Sequence, residues 1–272
     1  MSKAETGRLC VGVDLHKTQF TICALNEDGE YLLEKQYPTK EEGYSEFARE
    51  MHRFEEQGCS IELAVETTGN ARFFKNRMES EFFAVKVVNT NRFKVITMST
   101  KKTDANDAAT LAYYLMKDML PEAHLCSQTS EEIRRLLKTR SVLVQSMVKI
   151  KNQIHGMMLG YGIETKAAQL QSKRKRQELI NDLEDHNFSA YTAPSLKVML
   201  KILDDLSAEI KGIEKLLEEM VASNEDVALL MTVPGIGINT ATVIAAYTAE
   251  LERFEGNYKK FASYVGIIPS VH

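Results

Sequence analysis

Short apolar runs separated by polar turns fill the first ninety residues. Five of them predict strands, at residues 9–13, 20–25, 31–33, 61–65 and 84–88. The Asn-Glu-Asp-Gly sequence at 26–29 is typical of a hairpin turn between the second and third strands. One helical stretch begins at Thr39, and a second covers about residues 71–81. Strands followed by alternating helices and strands predict an α/β fold, with a mixed sheet covered by helices.

The middle of the chain has the spacing of long amphipathic helices. Apolar residues recur in steps of three and four from Ile133 to Met157, with Arg140 as the one break, and again from Met199 to Met220. Each series covers about three heptads, the minimum for predicting a coiled coil. The two helices could pack as an antiparallel hairpin in one chain or along a seam between chains, and the pattern leaves both open.

The pattern changes again after these helices. The Val-Pro-Gly-Ile-Gly sequence at 233–237 separates a short apolar run from a helical stretch. We therefore predict three regions: an α/β domain over residues 1–128, a coiled-coil helical arm over 129–222, and the beginning of a further domain over 223–272.

Composition narrows the class of protein without identifying it. No apolar run among the 272 residues approaches the ~18 needed for a membrane helix, which argues against an integral membrane protein. The polar start lacks the apolar core of a secretory signal, so we expect a cytoplasmic protein. The cysteines are widely spread and predict reduced thiols rather than a disulfide frame or zinc site; they are Cys10, Cys23, Cys59 and Cys126.

The net charge of −4 conceals a polarised chain. Residues 131–180 hold eleven Lys or Arg against four Glu, a net charge of +7. Residues 181–252 hold thirteen acids against four Lys, a net charge of −9. The basic block could follow a phosphate backbone, although long helices also carry solvated charge without any such partner.

Four carboxylates form the strongest chemical pattern. Asp14 ends the first predicted strand and Glu66 the fourth, where functional groups gather in open α/β sheets. Asp104 and Asp107 are three apart and would share one helix face. If the four converge, a divalent ion such as Mg²⁺ would offset their repulsion and support phosphodiester chemistry. Taken singly, each could be a turn former or cap, with Asp104 the N-cap of its own helix.

His16 lies close to Asp14 in the sequence. We do not expect it to be a metal ligand, because adjacent residues of a strand point to opposite faces.

Three acidic motifs carry a family resemblance. VGVDLHK at 11–17, LAVETTGN at 63–70 and KKTDANDA at 101–108 resemble those of the DEDD transposases of bacterial insertion sequences, the insertion sequence 110 family, which includes pilin-gene invertases. The segments at 230–254 and 259–271 are similar to the start of that family's C-terminal transposase domain.

The resemblance implies a ribonuclease-H-like (RuvC-like) domain, a coiled-coil arm and a helical transposase domain. It implies that Asp14, Glu66, Asp104 and Asp107 bind Mg²⁺ or Mn²⁺ as a catalytic tetrad. The implied activity is site-specific recombination of DNA, at element ends and target, guided in several members by a structured RNA. The arm suggests a homodimer or tetramer.

One departure concerns the C-terminal end. The family pairs its tetrad with a serine nucleophile in a Ser-Gly motif beyond the segment that matches GIIPSVH. The sequence ends at His272, and Ser270 does not match that serine. We expect a C-terminally truncated member that cannot complete strand exchange alone.

Eight further residues are candidate nucleic-acid contacts: Lys101, Lys102, Lys173, Arg174, Lys175, Arg176, Gly235 and Gly237. The lysine pair precedes the third acidic motif, and the four consecutive basic residues suit phosphate contacts. The two glycines resemble a helix-hairpin-helix turn whose backbone N–H groups could hold a phosphate. Solvated lysines and a plain interhelical turn explain the same residues without nucleic acid.

Two other functions compete with a transposase. An actin-like or sugar-kinase ATPase also begins with an aspartate after an apolar strand, but its phosphate loop needs glycine where this chain has His16. A nucleic-acid-binding remnant would keep affinity for DNA or RNA without metal-dependent nicking.

Overall fold

The computed structural model describes residues 7–90, 92–93, 103–182, 188, 190–249 and 251–266. The chain divides into two compact units between Leu125 and Cys126. Each unit has apolar clusters of its own. No helix within these described ranges is long and apolar enough to cross a membrane. The division into three regions with boundaries at 128 and 222 stays a prediction.

The first unit contains a five-stranded mixed sheet. Its strands are β1 (Arg8–Leu15), β2 (Gln19–Leu25), β3 (Tyr31–Pro38), β4 (Ser60–Glu66) and β5 (Ala84–Val88). Their order across the sheet is β3-β2-β1-β4-β5. The first three strands form an antiparallel meander, whereas β4 runs parallel to both β1 and β5. The predicted α/β, ribonuclease-H-like fold is confirmed.

Helices cover both faces of this sheet. They are α1 (Glu41–Glu56), α2 (Ala71–Glu79) and α3 (Asp104–Met116). Alternate residues of β1 face opposite sides, so that Val11 and Val13 join the main core with Phe47 of α1 and Phe74 of α2. Cys10 faces the other side, where it packs with residues of α3.

A glycine sets how close α3 lies to β1. A Cβ on Gly12 would stand 2.0 Å from the carbonyl oxygen of Ala108 and 2.5 Å from the amide nitrogen of Ala112. Both atoms belong to the helix backbone and cannot move aside alone. Only glycine therefore fits at this position, which lies two residues before Asp14 on the same face of the strand.

The second unit is helical. Its helices are α4 (Gln128–Leu159), α5 (Lys173–Asp182), α6 (Thr192–Val221), α7 (Glu225–Met231), α8 (Ile238–Thr248) and α9 (Tyr258–Tyr264), with 3-10 turns at Ala167–Leu170 and Leu251–Phe254. The end of α4 packs near the start of α6, as the cluster of Ile154 with Leu200 shows. The start of α4 packs near the end of α6, where Ile133 joins Leu217. The two predicted helices thus form an antiparallel hairpin within one chain.

Candidate active site

Asp14 and Glu66 lie side by side in the sheet. The parallel strands β1 and β4 are in register up to the pair Val13 and Val65, and each acid is the next residue of its strand. Because Val13 and Val65 point into the main core, both acids point to the face that α3 covers. Both side chains are half-buried. The predicted placement of these acids at the carboxyl ends of strands is observed.

The other two acids lie in the first turn of α3. Thr103 is the N-cap, since its hydroxyl accepts a hydrogen bond from the Asn106 amide at 3.2 Å. The alternative that Asp104 caps its own helix is therefore wrong. Asp104 and Asp107 both follow the cap, where the positive end of the helix dipole stabilises negative charge. The cap leaves the Asp104 carboxylate available to the sheet edge.

Three side chains meet at this edge, one from β1, one from the residue that follows β1 and one from α3. The ligand atoms of Asp14, His16 and Asp104 all lie within 4.8 Å of one another. His16 Nε2 is 3.0 Å from Asp14 Oδ2 and 3.4 Å from Asp104 Oδ1. The Asp14 side chain is 15% exposed, compared with 43% for Asp104. The cluster has an enclosed carboxylate at its base and an open side toward solvent.

Burial raises the pKa of Asp14 above its ordinary value, and the carboxylates of Asp104 and Asp107 raise it further, against a lowering by His16. Asp107 thus acts on Asp14 although neither it nor Glu66 belongs to the group within 4.8 Å. The convergence of all four acids on one ion stays a prediction.

The structure places His16 beside the carboxylates, so the argument that its side chain points away from Asp14 is wrong, whereas its role as a metal ligand is untested. His16 is two positions after Asp14 and directly follows the end of β1 at Leu15, and residues two apart in an extended chain share a face. The signal was available in the sequence as the spacing Asp-Leu-His. The Thr39 hydroxyl donates to the His16 carbonyl oxygen at 3.0 Å, and the Asn70 amide donates to the same oxygen at 3.2 Å. These two bonds hold the backbone of His16 beside the carboxylates.

Comparison with known proteins identifies the family of this chain. Residues 11–163 match the family model described as DEDD_Tnp_IS110, a transposase, and this match covers more than half of the chain. Residues 227–272 match a second model, described as the Transposase IS116/IS110/IS902 family. The chain belongs to the IS110 family of transposases. The predicted resemblance to this family is confirmed. The alternative of an actin-like or sugar-kinase ATPase is set aside.

Curated relatives agree with this assignment. The transposase for insertion sequence element IS1328 of Yersinia enterocolitica is 25% identical over 263 residues, which cover 95% of this chain and 73% of the relative. The transposase for IS1111A of Coxiella burnetii is 23% identical over 266 residues, which cover 96% of this chain and 69% of the relative. A probable family 20 transposase of Pseudomonas aeruginosa is 20% identical, and the match covers 96% of this chain and 74% of the relative. An IS110-family transposase acts as an enzyme that binds DNA.

The predicted basic contacts of this IS110-family transposase differ in exposure. Lys101 and Lys102 lie outside the described residues. At the start of α5, Lys173, Arg174 and Lys175 are exposed. Their contact with nucleic acid stays a prediction.

The structure corrects the prediction that Arg176 contacts nucleic acid. Its side chain is 3% exposed and pairs with Asp204 of α6. It also donates to the Leu170 carbonyl oxygen at 2.9 Å. The reason is helical geometry, since Arg176 falls on the face of α5 that packs against α6, whereas the three basic residues before it point to solvent. Arg176 therefore belongs to the internal structure of this unit.

Replacing Arg176 by Met is expected to lower the free energy of unfolding by about 2 kcal/mol, because the Leu170 carbonyl and Asp204 would lose a charged donor. The matched control is Arg174→Met, whose side chain is 89% exposed and should leave stability unchanged within about 0.5 kcal/mol. Urea unfolding of the two variants measures the difference. Equal stability of both would show that Arg176 is not structural.

Part of the basic block is neutralised within the transposase. Arg140 of α4 donates to Glu214 of α6 at 2.7 Å through Nη2 and at 2.9 Å through Nε. The basic and acidic helices thus complement each other. The positive surface left for nucleic acid is smaller than the net charge of +7 over residues 131–180 indicates.

The turn before α8 requires glycine at one of its two predicted positions. Gly235 has φ of +90°, which favours glycine, whereas Gly237 is the N-cap of α8 in an extended conformation. Gly235 is therefore needed for the turn, whereas the likeness to a helix-hairpin-helix turn and its contact with a phosphate stay predictions.

Proposed function

We propose that this transposase cleaves DNA strands with a divalent metal ion, Mg²⁺ or Mn²⁺, bound at the edge of its sheet. The observation that carries this proposal is the approach of Asp14, His16 and Asp104 ligand atoms to within 4.8 Å. Carboxylate oxygens are the donors that Mg²⁺ and Mn²⁺ prefer. The raised pKa of Asp14 supports the fit, because clustered carboxylates need a cation to stay ionised together.

Each residue has a proposed role in this site. Asp14 on the rigid strand β1 would be the central ligand, and Asp104 and Asp107 would approach it from α3. Glu66 would complete the tetrad from β4. When bound, the ion supplies stabilisation of charge on the oxygens of the phosphodiester. The four acids would hold the ion in a fixed position, which contributes by proximity and orientation.

The proposed substrates are the element ends and the target DNA. We propose that Lys173, Arg174 and Lys175 contact nucleic acid backbones, since their exposure at a helix start suits phosphate contacts. A structured guide RNA is a further proposed partner of the same surface, and assembly as a dimer or tetramer is proposed for the arm.

The test is nicking of DNA that carries element ends. The reaction is run with Mg²⁺, with Mn²⁺ and with EDTA, each with and without the element's RNA. We expect nicking only with a divalent ion, and comparison of the RNA arms determines whether a guide is needed. Binding without nicking in every arm would favour the nucleic-acid-binding remnant over a cleaving enzyme.

His16→Ala is expected to weaken binding of Mn²⁺ about tenfold and that of Mg²⁺ by much less. An imidazole nitrogen suits transition ions better than Mg²⁺, which prefers oxygen donors. Calorimetric titration of the full chain with each ion gives the two ratios. Equal losses for both ions would assign His16 to positioning Asp14 and Asp104, and no loss would remove it from the site.

A further inference from the structure

A cleft opens beside the carboxylate cluster, and His16 belongs to both. Its volume is about 730 Å³, within the ~300–1,000 Å³ range of pockets that bind small ligands. The lining comes from the end of β1, the loop after β4 and the starts of α1 and α2, including Lys17, Lys40, Tyr44, Asn70 and Phe73. The cleft is large enough for one nucleotide next to the proposed cleavage site.

The cleft is positively charged. Lys17 and Lys40 are exposed on its rim, and neither forms an ion pair with any other residue that the structure describes. The acid on the same rim, Glu41, is paired with Arg77 at 2.9 Å. The two ammonium groups are thus free to meet a phosphate.

Tyr44 is one of the residues that line this cleft. The residue is 2% exposed, and its hydroxyl has no hydrogen-bond partner within the described part of the chain. Burial, and then Glu41, raise the pKa of Tyr44, so the hydroxyl stays protonated and able to donate. A buried hydroxyl without a partner costs free energy that an acceptor on a ligand would recover.

Phe73 adds an exposed aromatic ring to the cleft. Its side chain is 56% exposed, whereas the neighbouring Phe74 is fully buried in the core. The ring centroid of Phe73 lies 5.5 Å from that of Tyr44. Exposed aromatic rings beside positive charge are the elements with which proteins bind single-stranded nucleic acids.

We propose that this cleft binds one unpaired nucleotide of the DNA strand that is cleaved. The base stacks on Phe73, its phosphate contacts Lys17 and Lys40, and the Tyr44 hydroxyl donates to an acceptor of the nucleotide. Thr39 and Asn70 connect the cleft to the cluster, since both hydrogen-bond the His16 carbonyl. The position of the nucleotide next to the scissile phosphate rests on the proposed function, and the binding itself does not.

The binding test uses the full chain in EDTA, so that no cleavage occurs. The probe is a short single-stranded DNA with one 2-aminopurine, whose fluorescence is quenched by stacking. Phe73→Leu is expected to weaken binding about tenfold and to remove quenching by the protein. The matched control is Phe82→Leu, because Phe82 is 93% exposed elsewhere in the same unit, and it should bind as the wild type does.

Tyr44→Phe separates a binding role from a structural one. We expect affinity for the probe to fall about threefold to tenfold, the loss for one neutral hydrogen bond. The thermal midpoint of unfolding should not fall, because the change removes an unpaired hydroxyl and keeps the ring. A lowered midpoint with unchanged affinity would overturn the assignment of Tyr44.

The two lysines are tested by salt dependence. Lys17→Ala with Lys40→Ala should reduce the slope of log affinity against log salt by about 0.7, the value for one neutralised phosphate on a single strand. The control is Lys201→Ala with Lys211→Ala, two exposed lysines of the acid-rich segment, and its slope should stay unchanged.

The inference is overturned if Phe73→Leu and Phe82→Leu bind the probe equally. It is also overturned if an RNA strand binds more tightly than DNA with the same dependence on Phe73, since the occupant would then be RNA. The proposed function fails separately: nicking that is independent of metal contradicts the carboxylate site, even where stacking on Phe73 is observed.

Discussion

Replacing Asp14 by Asn is expected to reduce metal-dependent nicking by at least about 10³-fold, equivalent to about 4 kcal/mol of transition-state stabilisation. The substitution keeps the shape of the side chain and removes its charge. Asp14 is the least exposed of the clustered groups and lies within hydrogen-bond distance of His16. Loss of this carboxylate removes the proposed central ligand, and the acids of α3 would then have no partner on β1.

Stability separates this effect from misfolding. Because the pKa of Asp14 is raised in the folded protein, the native state binds its proton more tightly than the unfolded chain does. Ionisation of Asp14 therefore lowers stability as the pH rises from its ordinary pKa through its raised one. Asp14→Asn should unfold at a neutral-pH midpoint no lower than that of the wild type. Asp28→Asn, an exposed acid of the β2–β3 turn, is the control and should nick normally; equal nicking by Asp14→Asn would disprove the tetrad.

The second large effect is expected from Gly12→Ala. The added Cβ would stand 2.0 Å from the Ala108 carbonyl oxygen, so α3 must move away from β1. Overpacking of this kind costs about 1–3 kcal/mol. The movement would carry Asp104 and Asp107 away from Asp14, and a displacement of about 1 Å costs roughly 10²-fold in rate. Nicking and urea unfolding measure the two losses.

Gly156→Ala is the matched control for this substitution. A Cβ on Gly156 would meet nothing within 4 Å, and the residue lies in the helix α4, where Ala is favoured over Gly by about 0.5–1 kcal/mol. We expect this variant to be slightly more stable and to nick normally. If Gly12→Ala kept wild-type nicking and stability, the close approach of α3 would not position the site.

The sheet could be predicted from the sequence because its buried strands are apolar runs that end at polar residues. The apolar run at 61–65 predicts the strand that the structure shows over Ser60–Glu66, and Glu66 ends that strand as predicted. The edge strand β3 was predicted only over 31–33, whereas it extends over Tyr31–Pro38. Its second half contains polar residues that an edge strand exposes to solvent, so no apolar pattern marks it.

Features that depend on packing could not be predicted in the same way. The sequence alone does not distinguish Arg176 from its basic neighbours, because its pairing with Asp204 depends on how α5 packs against α6. The need for Gly12 depends on α3, which follows about ninety residues later in the chain. The spacing of apolar residues predicts α4 and α6 but does not indicate which of their ends pack together. Their antiparallel arrangement therefore could not be predicted. His16 is different, since its spacing of two residues from Asp14 predicts that both side chains share a face.

The central claim is that Asp14 and Asp104 form a divalent metal site, and Mn²⁺ binding to the full chain tests it most directly. Electron paramagnetic resonance distinguishes free from bound Mn²⁺ during a titration. We predict that the wild type and Asp28→Asn bind Mn²⁺ with equal affinity, and that Asp14→Asn and Asp104→Asn each bind at least about tenfold more weakly. Wild-type affinity in Asp14→Asn, or no bound Mn²⁺ in the wild type, would contradict the account.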